Sequence, residues 1–327
     1  MGIKIKAIEK QLPKRGKASV EIDQLTGRVE GSTEAQTGVA YRYQISDGES
    51  VCEMGTSALQ KALTAAKMDV SEIDLLIFAG ASFDYPIPHN SAIIKSKITD
   101  DSVGFHCLDI NSTCLSFLNA LDIAHLYLNS GRYQTIALVC SEVSSKALSP
   151  EDEKVFGLFG DAAVASILTL EDDGYHPIFT EFINYPSGAF MTNVPIGGAV
   201  NRGFTSAPED PGYFFKMNGN GLFRLTTKHL DHFINELQTK YKLGLNDFDV
   251  IIPHQTSKMG NAYFKKHFDL EAGKIIDTLS IYGNCISASI PLGLEQYFNH
   301  KRQKENEKLL LIGSGAGLSI GAIGLQM

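Results

Sequence analysis

A short pattern occurs twice in this chain and predicts a fold built from two similar halves. Residues 71–77 read SEIDLLI and residues 246–252 read NDFDVII, and in both an acidic residue and an Asp lead into three aliphatic residues. Two further echoes follow in the same order along the chain: 108–109 with 276–277, and 136–141 with 309–314. One echo alone means little because β-strands resemble one another, but three in one order indicate an internal duplication. We place its halves at residues 1–172 and 173–327.

The segments between these echoes alternate between helical and extended patterns. Val51–Lys67 and Cys114–Leu128 carry apolar residues at helical spacing, whereas Asp74–Gly80 and Thr135–Cys140 are short apolar runs. Such alternation is typical of a layered α/β fold with largely buried sheets. The chain is 43% hydrophobic, which is enough apolar material for a sizeable core.

Both ends of the chain predict strands rather than targeting or membrane segments. The first ten residues, MGIKIKAIEK, alternate apolar and basic side chains and lack the apolar run of a signal peptide. Leu309–Met327 is long and uncharged, but five glycines interrupt it, so we expect two buried strands around a turn at Gly313–Gly317. Pro186–Pro211 is rich in Gly, Pro and Asn and predicts a long loop, a common place for binding residues.

Charge and cysteine content narrow the choice of partners and compartment. The net charge is −8, and no basic cluster is longer than pairs such as Lys265-Lys266, which argues against nucleic acid as a main partner. The five cysteines are odd in number and show no CxxC or other metal-ligand spacing. We therefore predict free thiols in a reducing cytoplasm and no bound metal.

Cys114 is the first candidate for chemistry. It follows the residues Asn, Ser and Thr at 111–113, and Ser or Thr is a favourable N-cap for a helix that begins at Cys114. The unpaired N–H groups and the dipole of such a helix would stabilise a thiolate and lower the pKa of the thiol. The alternative is a core cysteine, since free Cys is among the most buried residue types.

His254 and Asn284 are the two other candidates. His254 directly follows the buried run Val250–Pro253, at the kind of sheet edge where ligands bind in α/β folds. The alternative is a hydrogen-bonded loop histidine. Asn284 precedes a helix that opens with small residues; the alternative is a simple helix cap. Because Cys114 and Asn284 fall at equivalent turns of the two halves, packing of the halves would bring all three residues together.

The glycine-rich turn at Gly313–Gly317 has its own expected use. It follows a strand but precedes another strand rather than a helix, so it is not a phosphate-binding GxGxxG loop. It is better suited to placing a backbone N–H beside a substrate carbonyl, as an oxyanion hole requires.

Together these features resemble the ketoacyl-acyl-carrier-protein synthase III family of the thiolase-like superfamily, over essentially the whole chain. Four signatures carry the resemblance: LDINSTC at 108–114, LFGDAA at 158–163, PHQ at 253–255 with YGN at 282–284, and GSGAG at 313–317. The resemblance implies a five-layered αβαβα fold, an obligate homodimer and a catalytic triad of Cys114, His254 and Asn284.

The resemblance also implies a decarboxylative condensation that needs no metal or other cofactor. The Cys114 thiolate attacks an acyl thioester, and the backbone N–H groups of Cys114 and Gly317 hold the oxyanion. A malonyl thioester, carried by an acyl carrier protein, then loses CO2 while His254 and Asn284 donate hydrogen bonds to its carbonyl oxygen. The resulting carbanion attacks the acyl-cysteine and gives a 3-oxoacyl thioester.

We further predict residues that contact the substrate and a patch that docks the carrier protein. They are Ile87, Asn220 and Gly315 for the substrate, and Lys258, Lys265 and Lys266 for docking. Family members that start from acetyl-CoA hold its adenine and phosphates with Trp and Arg, but this chain has no Trp and has Gln36 and Met259 at two of those Arg positions. A specialised member that receives its acyl group from a carrier protein is therefore predicted.

Alternatives from other classes stay open. A plain acyltransferase would pass the acyl group from Cys114 to an alcohol or amine and would not need the pair formed by His254 and Asn284. A non-catalytic partner subunit would be expected to have lost Cys114. The hydroxymethylglutaryl-CoA synthase relatives need a catalytic Glu near Gly80, where the nearest acid is Asp84, and this disfavours them.

Overall fold

The computed structural model describes residues 1–207, 210–300 and 304–327. Its strands are β1 (Gly2–Gln11), β2 (Arg15–Ala18), β3 (Tyr41–Gln44), β4 (Leu75–Ala79), β5 (His106–Ile110), β6 (Ile136–Glu142), β7 (Ala162–Glu171), β8 (His176–Asn184), β9 (Thr192–Asn193), β10 (Lys216–Met217), β11 (Val250–Pro253), β12 (Lys308–Gly315) and β13 (Ser319–Gln326). Its α-helices are α1 (Ser19–Thr26), α2 (Ser32–Thr37), α3 (Val51–Ala66), α4 (Asn90–Ile98), α5 (Ser116–Asn129), α6 (Glu153–Phe156), α7 (Gly219–Tyr241), α8 (Lys258–His267), α9 (Leu279–Tyr282) and α10 (Ser289–His300).

Two larger sheets repeat one topology. The first has the order β1-β7-β6-β4-β5 and the second the order β8-β13-β12-β11. In the first sheet β4 and β6 are parallel while β7 and β1 continue antiparallel. In the second sheet β11 and β12 are parallel while β13 and β8 continue antiparallel. The counterpart of β5 is reduced to a parallel bridge between Ile251 and Ile275. The duplication predicted from the echoes is therefore present in the fold.

Helices cover both faces of each sheet and produce five layers. Leu59 of α3 packs with α4 on the outer face of the first sheet. Leu118 of α5 and Leu292 of α10 lie in the cluster between the two sheets. Phe233 of α7 and Phe264 of α8 cover the outer face of the second sheet. This is the αβαβα order that the resemblance implied, and it explains why the central strands are apolar on both faces.

The ends of the chain and the long loop match the expected patterns. The N-terminal residues form β1, and the uncharged C-terminal stretch forms β12 and β13 around a turn. Residues 186–211 are mainly loop with short helical turns and β9, and within that range Pro208 and Glu209 lie outside the described residues. All five cysteines are unpaired. No helix in the described part of the chain has the length and apolar character needed to cross a membrane.

Candidate active site

Cys114 lies in a 3-10 turn, Thr113–Leu115, that joins β5 to α5. The predicted side-chain cap from Ser112 is not made. Instead, the Asn111 side chain accepts a hydrogen bond from the N–H of Thr113 at 3.0 Å. Thr113 has a left-handed φ of 52°, which is unusual for a residue other than glycine. The turn is therefore tight and places Cys114 before the helix rather than inside its first α-helical turn.

The second half repeats this turn ahead of α10. The Asn284 side chain accepts from the N–H of Ile286 at 2.9 Å, as Asn111 does from Thr113. Ile286 also has a left-handed φ of 51°. A serine hydroxyl closes each turn by accepting a backbone N–H, and the two turns contact each other. Cys114 and Asn284 thus lie on equivalent, touching turns, as the duplication predicted.

A backbone amide of the glycine-rich turn faces the Cys114 thiol. It is the N–H of Ala316, and the carbonyl of Ala316 accepts a hydrogen bond from the Thr113 hydroxyl at 3.3 Å. The sequence had assigned this position to Gly317, one residue later. Gly317 instead adopts the left-handed φ of 79° that lets the chain turn into β13. The amide of Ala316, and not that of Gly317, therefore lies beside the sulfur.

Burial dominates the ionisation of the candidate nucleophile. It raises the pKa of the Cys114 thiol to about 11; the N–H of Ala316 opposes this change and the Glu142 carboxylate adds to it. The expectation of a lowered pKa was wrong. Its physical basis was the end of an α-helix, but α5 begins only at Ser116, and removal of the thiol from water outweighs the nearby amides.

Two glycines let β12 pass close to the candidate residues. A Cβ atom at Gly313 would lie 2.8 Å from Cβ of His254 and 3.1 Å from Cδ2 of Leu115. A Cβ atom at Gly315 would lie 3.1 Å from the Thr113 hydroxyl oxygen. His254 and the Cys114 turn therefore flank one strand of bare backbone. Gly315, predicted to contact the substrate, packs against that turn and is absent from the described cavity lining.

His254 follows β11 directly and extends its pairing. Its N–H donates to the carbonyl of Ile312 at 2.8 Å, and its own carbonyl accepts from the N–H of Thr256 at 3.1 Å. The side chain is buried, and Nδ1 has no hydrogen-bond partner among the described residues. Burial lowers the pKa of His254 to about 4, so the ring is neutral at pH 7.

The Asn284 side chain points toward the same strand end. Its Nδ2 donates to the carbonyl of Thr256 at 3.3 Å, two residues beyond His254. Its Oδ1 is occupied by the N–H of Ile286. Asn284 is therefore a turn cap, the alternative considered from sequence, and also carries an amide group directed at the segment that follows His254. One of the two N–H groups of that amide takes part in neither of these contacts.

A cavity of about 310 Å³ reaches His254 from the surface. Its mouth includes Gln36, Lys154 and Met259, so the positions that depart from the CoA-binding pattern do border the entrance. Asn220, predicted to contact the substrate, lies at the start of α7 and lines the cavity. Ile87 does not: its side chain is 86% exposed on the loop after β4, so a single chain does not bring it to the substrate.

The three lysines predicted for docking have different surroundings. Lys258 donates to the carbonyl of Ala35 at 2.9 Å. Lys265 forms an ion pair with Asp277 at 2.6 Å, which neutralises its charge locally. Lys266 is exposed. The patch is therefore weaker in net positive charge than the sequence suggested.

A buried carboxylate beside the two turns was not predicted from the sequence. Glu142, at the end of β6, accepts from the hydroxyls of Ser82 and Ser287 at 2.6 and 2.5 Å, and from the N–H groups of Ala81 and Ser82. Burial raises its pKa. It joins β6, the loop after β4 and the turn before α10, and no motif marks it. Asp84, by contrast, caps the start of α3.

Two segments of the chain match one family of known proteins. Residues 108–185 match the family described as 3-oxoacyl-[acyl-carrier-protein (ACP)] synthase III, and residues 239–327 match its C-terminal domain. The chain is 32% identical over 310 residues to the beta-ketoacyl-[acyl-carrier-protein] synthase III of Clostridium perfringens, covering 93% of each protein.

Solved structures share the fold. The 3-oxoacyl-[acyl-carrier-protein] synthase III of Aquifex aeolicus superposes with a TM-score of 0.87 at 24% identity, with full coverage of both chains. The priming beta-ketosynthase of the R1128 polyketide pathway has a TM-score of 0.87 at 22% identity, covering 100% of this chain and 96% of that one. The five layers described above are thus those of the thiolase-like fold.

Proposed function

The chain belongs to the 3-oxoacyl-[acyl-carrier-protein] synthase III family, and we propose which of its residues carry out the condensation typical of that family. The enzyme is an acyltransferase that joins a Cys-bound acyl group to a malonyl thioester with loss of CO2. One observation carries the assignment of residues. The equivalent turns of Cys114 and Asn284 touch beside a cavity lined by His254.

Cys114 accepts the acyl group in the first half-reaction. Its thiolate attacks the carbonyl carbon of the donor thioester, a sulfur–carbon bond forms, and the donor thiolate leaves. We assign the oxyanion hole to the N–H groups of Cys114 and Ala316, because these amides face the sulfur. Fixed N–H donors stabilise the charge that develops on the carbonyl oxygen.

His254 and Asn284 serve the second half-reaction. The neutral ring of His254 and the free N–H of Asn284 donate to the carbonyl oxygen of the malonyl thioester. The electrons of the breaking C–CO2 bond then form an enolate that these two donors stabilise. The enolate carbon attacks the acyl carbonyl, and the Cys114 thiolate is released.

A product analysis tests this function. Enzyme given an acyl carrier-protein thioester and malonyl carrier protein should form a 3-oxoacyl thioester and one CO2 per product. Transfer of the acyl group to an alcohol or amine without CO2 release would support the plain acyltransferase instead.

We expect the acyl donor to be a carrier protein rather than free CoA. Arg binds phosphate bidentately, which Gln36 and Met259 at the cavity mouth cannot reproduce. Loss of one aromatic stack and of charged phosphate partners weakens CoA thioester binding at least about a hundredfold. Acylation rates from matched acyl-carrier protein and acyl-CoA at equal concentration measure the difference.

A gain-of-function variant makes the donor test sharper. Met259→Arg restores a guanidinium at the mouth and should speed acylation from acyl-CoA, while Met259→Gln should not. Lys266→Glu should slow acylation from the carrier protein only, because Lys266 is an exposed member of the proposed docking patch. Acylation from acyl-CoA that equals or exceeds acylation from the carrier protein in the parent enzyme would reject this donor preference.

We also propose that two chains associate along β5 in the cytoplasm, where unpaired thiols stay reduced. β5 is the edge strand of the first sheet, and the nearby loop exposes Phe83, Tyr85 and Ile87. Edge strands and clustered apolar side chains are surfaces that proteins usually cover. In such a dimer, Ile87 would be available to the substrate of the other chain. A solution mass of two chains by light scattering is expected, and a mass of one would contradict the pairing.

A further inference from the structure

Part of the lining of the cavity that reaches His254 is apolar and lies beneath α7 and α8; we call this part the arm. Four residues of the core between these helices and the second sheet line it: Leu230, Phe264, Ile275 and Ile312. Thr227 of α7 also lines the cavity, and its hydroxyl donates to the carbonyl of Arg224, which satisfies it within the helix. The arm therefore offers an apolar surface inside the outermost layer of the fold.

Polar contacts hold the two helices together beside the arm. The Tyr263 hydroxyl donates to Asp231 of α7 at 3.1 Å, and Nε2 of His267 lies 2.9 Å from the same carboxylate oxygen. The rings of Tyr263 and His267 stack with centroids 4.7 Å apart. Tyr263 itself lines the cavity. These contacts hold α8 against α7 and give the arm a fixed wall.

His254, the residue proposed to hold the acceptor, lines the same cavity as the arm. His254, Gly313 and Ser314 line the cavity, whereas residues 112–116, the Cys114 turn, are absent from its described lining. Both thioesters share the mouth at Gln36 and Met259, but an alkyl group in the arm would lie beside the thioester held by His254.

Resting on the proposed function, we propose that the acceptor is a malonyl thioester with an apolar alkyl chain on its central carbon, and that this chain lies in the arm. The C–CO2 bond breaks and its electrons form a substituted enolate. The enolate carbon bonds to the acyl carbonyl, and the Cys114 thiolate leaves. The products are CO2 and a 2-alkyl-3-oxoacyl thioester, and no oxidant or further reactant is needed.

Decarboxylation suits the surroundings of His254 better than proton abstraction does. An acceptor without a carboxylate would need a general base to remove a proton from its α-carbon. His254 is buried and its pKa is lowered to about 4, so it is a weak base at neutral pH. Loss of CO2 generates the same carbanion without a base, and the ring then acts only as a hydrogen-bond donor.

The test uses enzyme already acylated on Cys114, with the added mass confirmed, and pantetheine thioesters of malonate, methylmalonate and butylmalonate. Burial of each added methylene should favour reaction about fourfold. We therefore expect kcat/KM for CO2 release from butylmalonyl pantetheine to exceed that of malonyl pantetheine by about tenfold or more. A malonyl rate equal to or above the butylmalonyl rate would overturn the proposal while leaving the condensation itself intact.

A variant that fills the arm gives a second readout. Thr227→Phe should remove the preference for butylmalonyl over malonyl, with Thr227→Leu as a milder version should the first fold poorly. Lys228→Phe, at the adjacent exposed position, is the matched control and should keep the preference. If Thr227→Phe instead restricts labelling of Cys114 to shorter acyl donors, the arm holds the acyl chain of the donor and the proposal is wrong. If acylated enzyme releases no CO2 from any of the three thioesters, the proposed function itself fails.

Discussion

Cys114→Ala is expected to abolish acyl-enzyme formation while the fold survives. The substitution removes one sulfur atom, and the turn around it is held by contacts that do not involve that atom. These are the bond from Thr113 to the Asn111 side chain and the bond from the Thr113 hydroxyl to Ala316. Intact-mass measurement after incubation with an acyl thioester should show the added acyl mass in the parent enzyme and none in the variant.

Cys285→Ala is the matched control for this experiment. Cys285 is fully buried in the equivalent turn of the second half, where its thiol contacts the carbonyl of Tyr282 at 3.4 Å. Its replacement should leave acylation unchanged. Equal labelling of Cys114→Ala and the parent would show that another group is the nucleophile.

The raised pKa of Cys114 gives the reactivity of its thiol a characteristic pH dependence. Because the pKa is about 11, only a small fraction of the free enzyme carries a thiolate at pH 7. That fraction rises about tenfold for each pH unit up to pH 9. Because the thiolate is the reactive form, the rate of alkylation of Cys114 by iodoacetamide should rise by the same factor. A plateau below pH 8 would mean that the amides facing the sulfur outweigh its burial.

The sequence predicted most of the fold because burial leaves a clear pattern. Strands covered on both faces are apolar at every position, so β4 and β11 stand out as matching runs. The turns of Cys114 and Asn284 were also found, because each precedes a helix and carries polar residues at the same places. The duplication then placed the two turns side by side, which a single motif would not have done.

Other features depend on three-dimensional surroundings that a local pattern does not contain. Alternate glycines at 313–317 predict a close backbone approach but do not say whether Ala316 or Gly317 presents its N–H. A cap pattern before Cys114 suggested a lowered pKa, whereas the pKa is set by burial under segments distant in sequence. The charge of Lys265 is neutralised by Asp277, and no helical spacing signals that contact.

Asn284→Ala is expected to separate the two half-reactions. Acylation of Cys114 should persist, because its oxyanion donors are the amides of Cys114 and Ala316. CO2 release from malonyl thioester should fall by about 10²–10³, the usual cost of removing one donor to developing negative charge. Stopped assays that measure acyl-enzyme mass and CO2 on the same sample record both steps.

The cap role of Asn284 has to be distinguished from its role as a donor. Ala also removes the oxygen that accepts the Ile286 N–H, which lowers the free energy of unfolding by about 1 kcal/mol. That loss is too small to unfold a domain stabilised by 5–15 kcal/mol, so it would not by itself reduce CO2 release a hundredfold. Asn284→His loses the same cap but supplies a ring N–H, and it should recover much of the CO2 release without recovering the lost stability. If acylation and CO2 release fall together in Asn284→Ala and His restores neither, Asn284 acts only by shaping the turn, and the enolate is held by His254 alone.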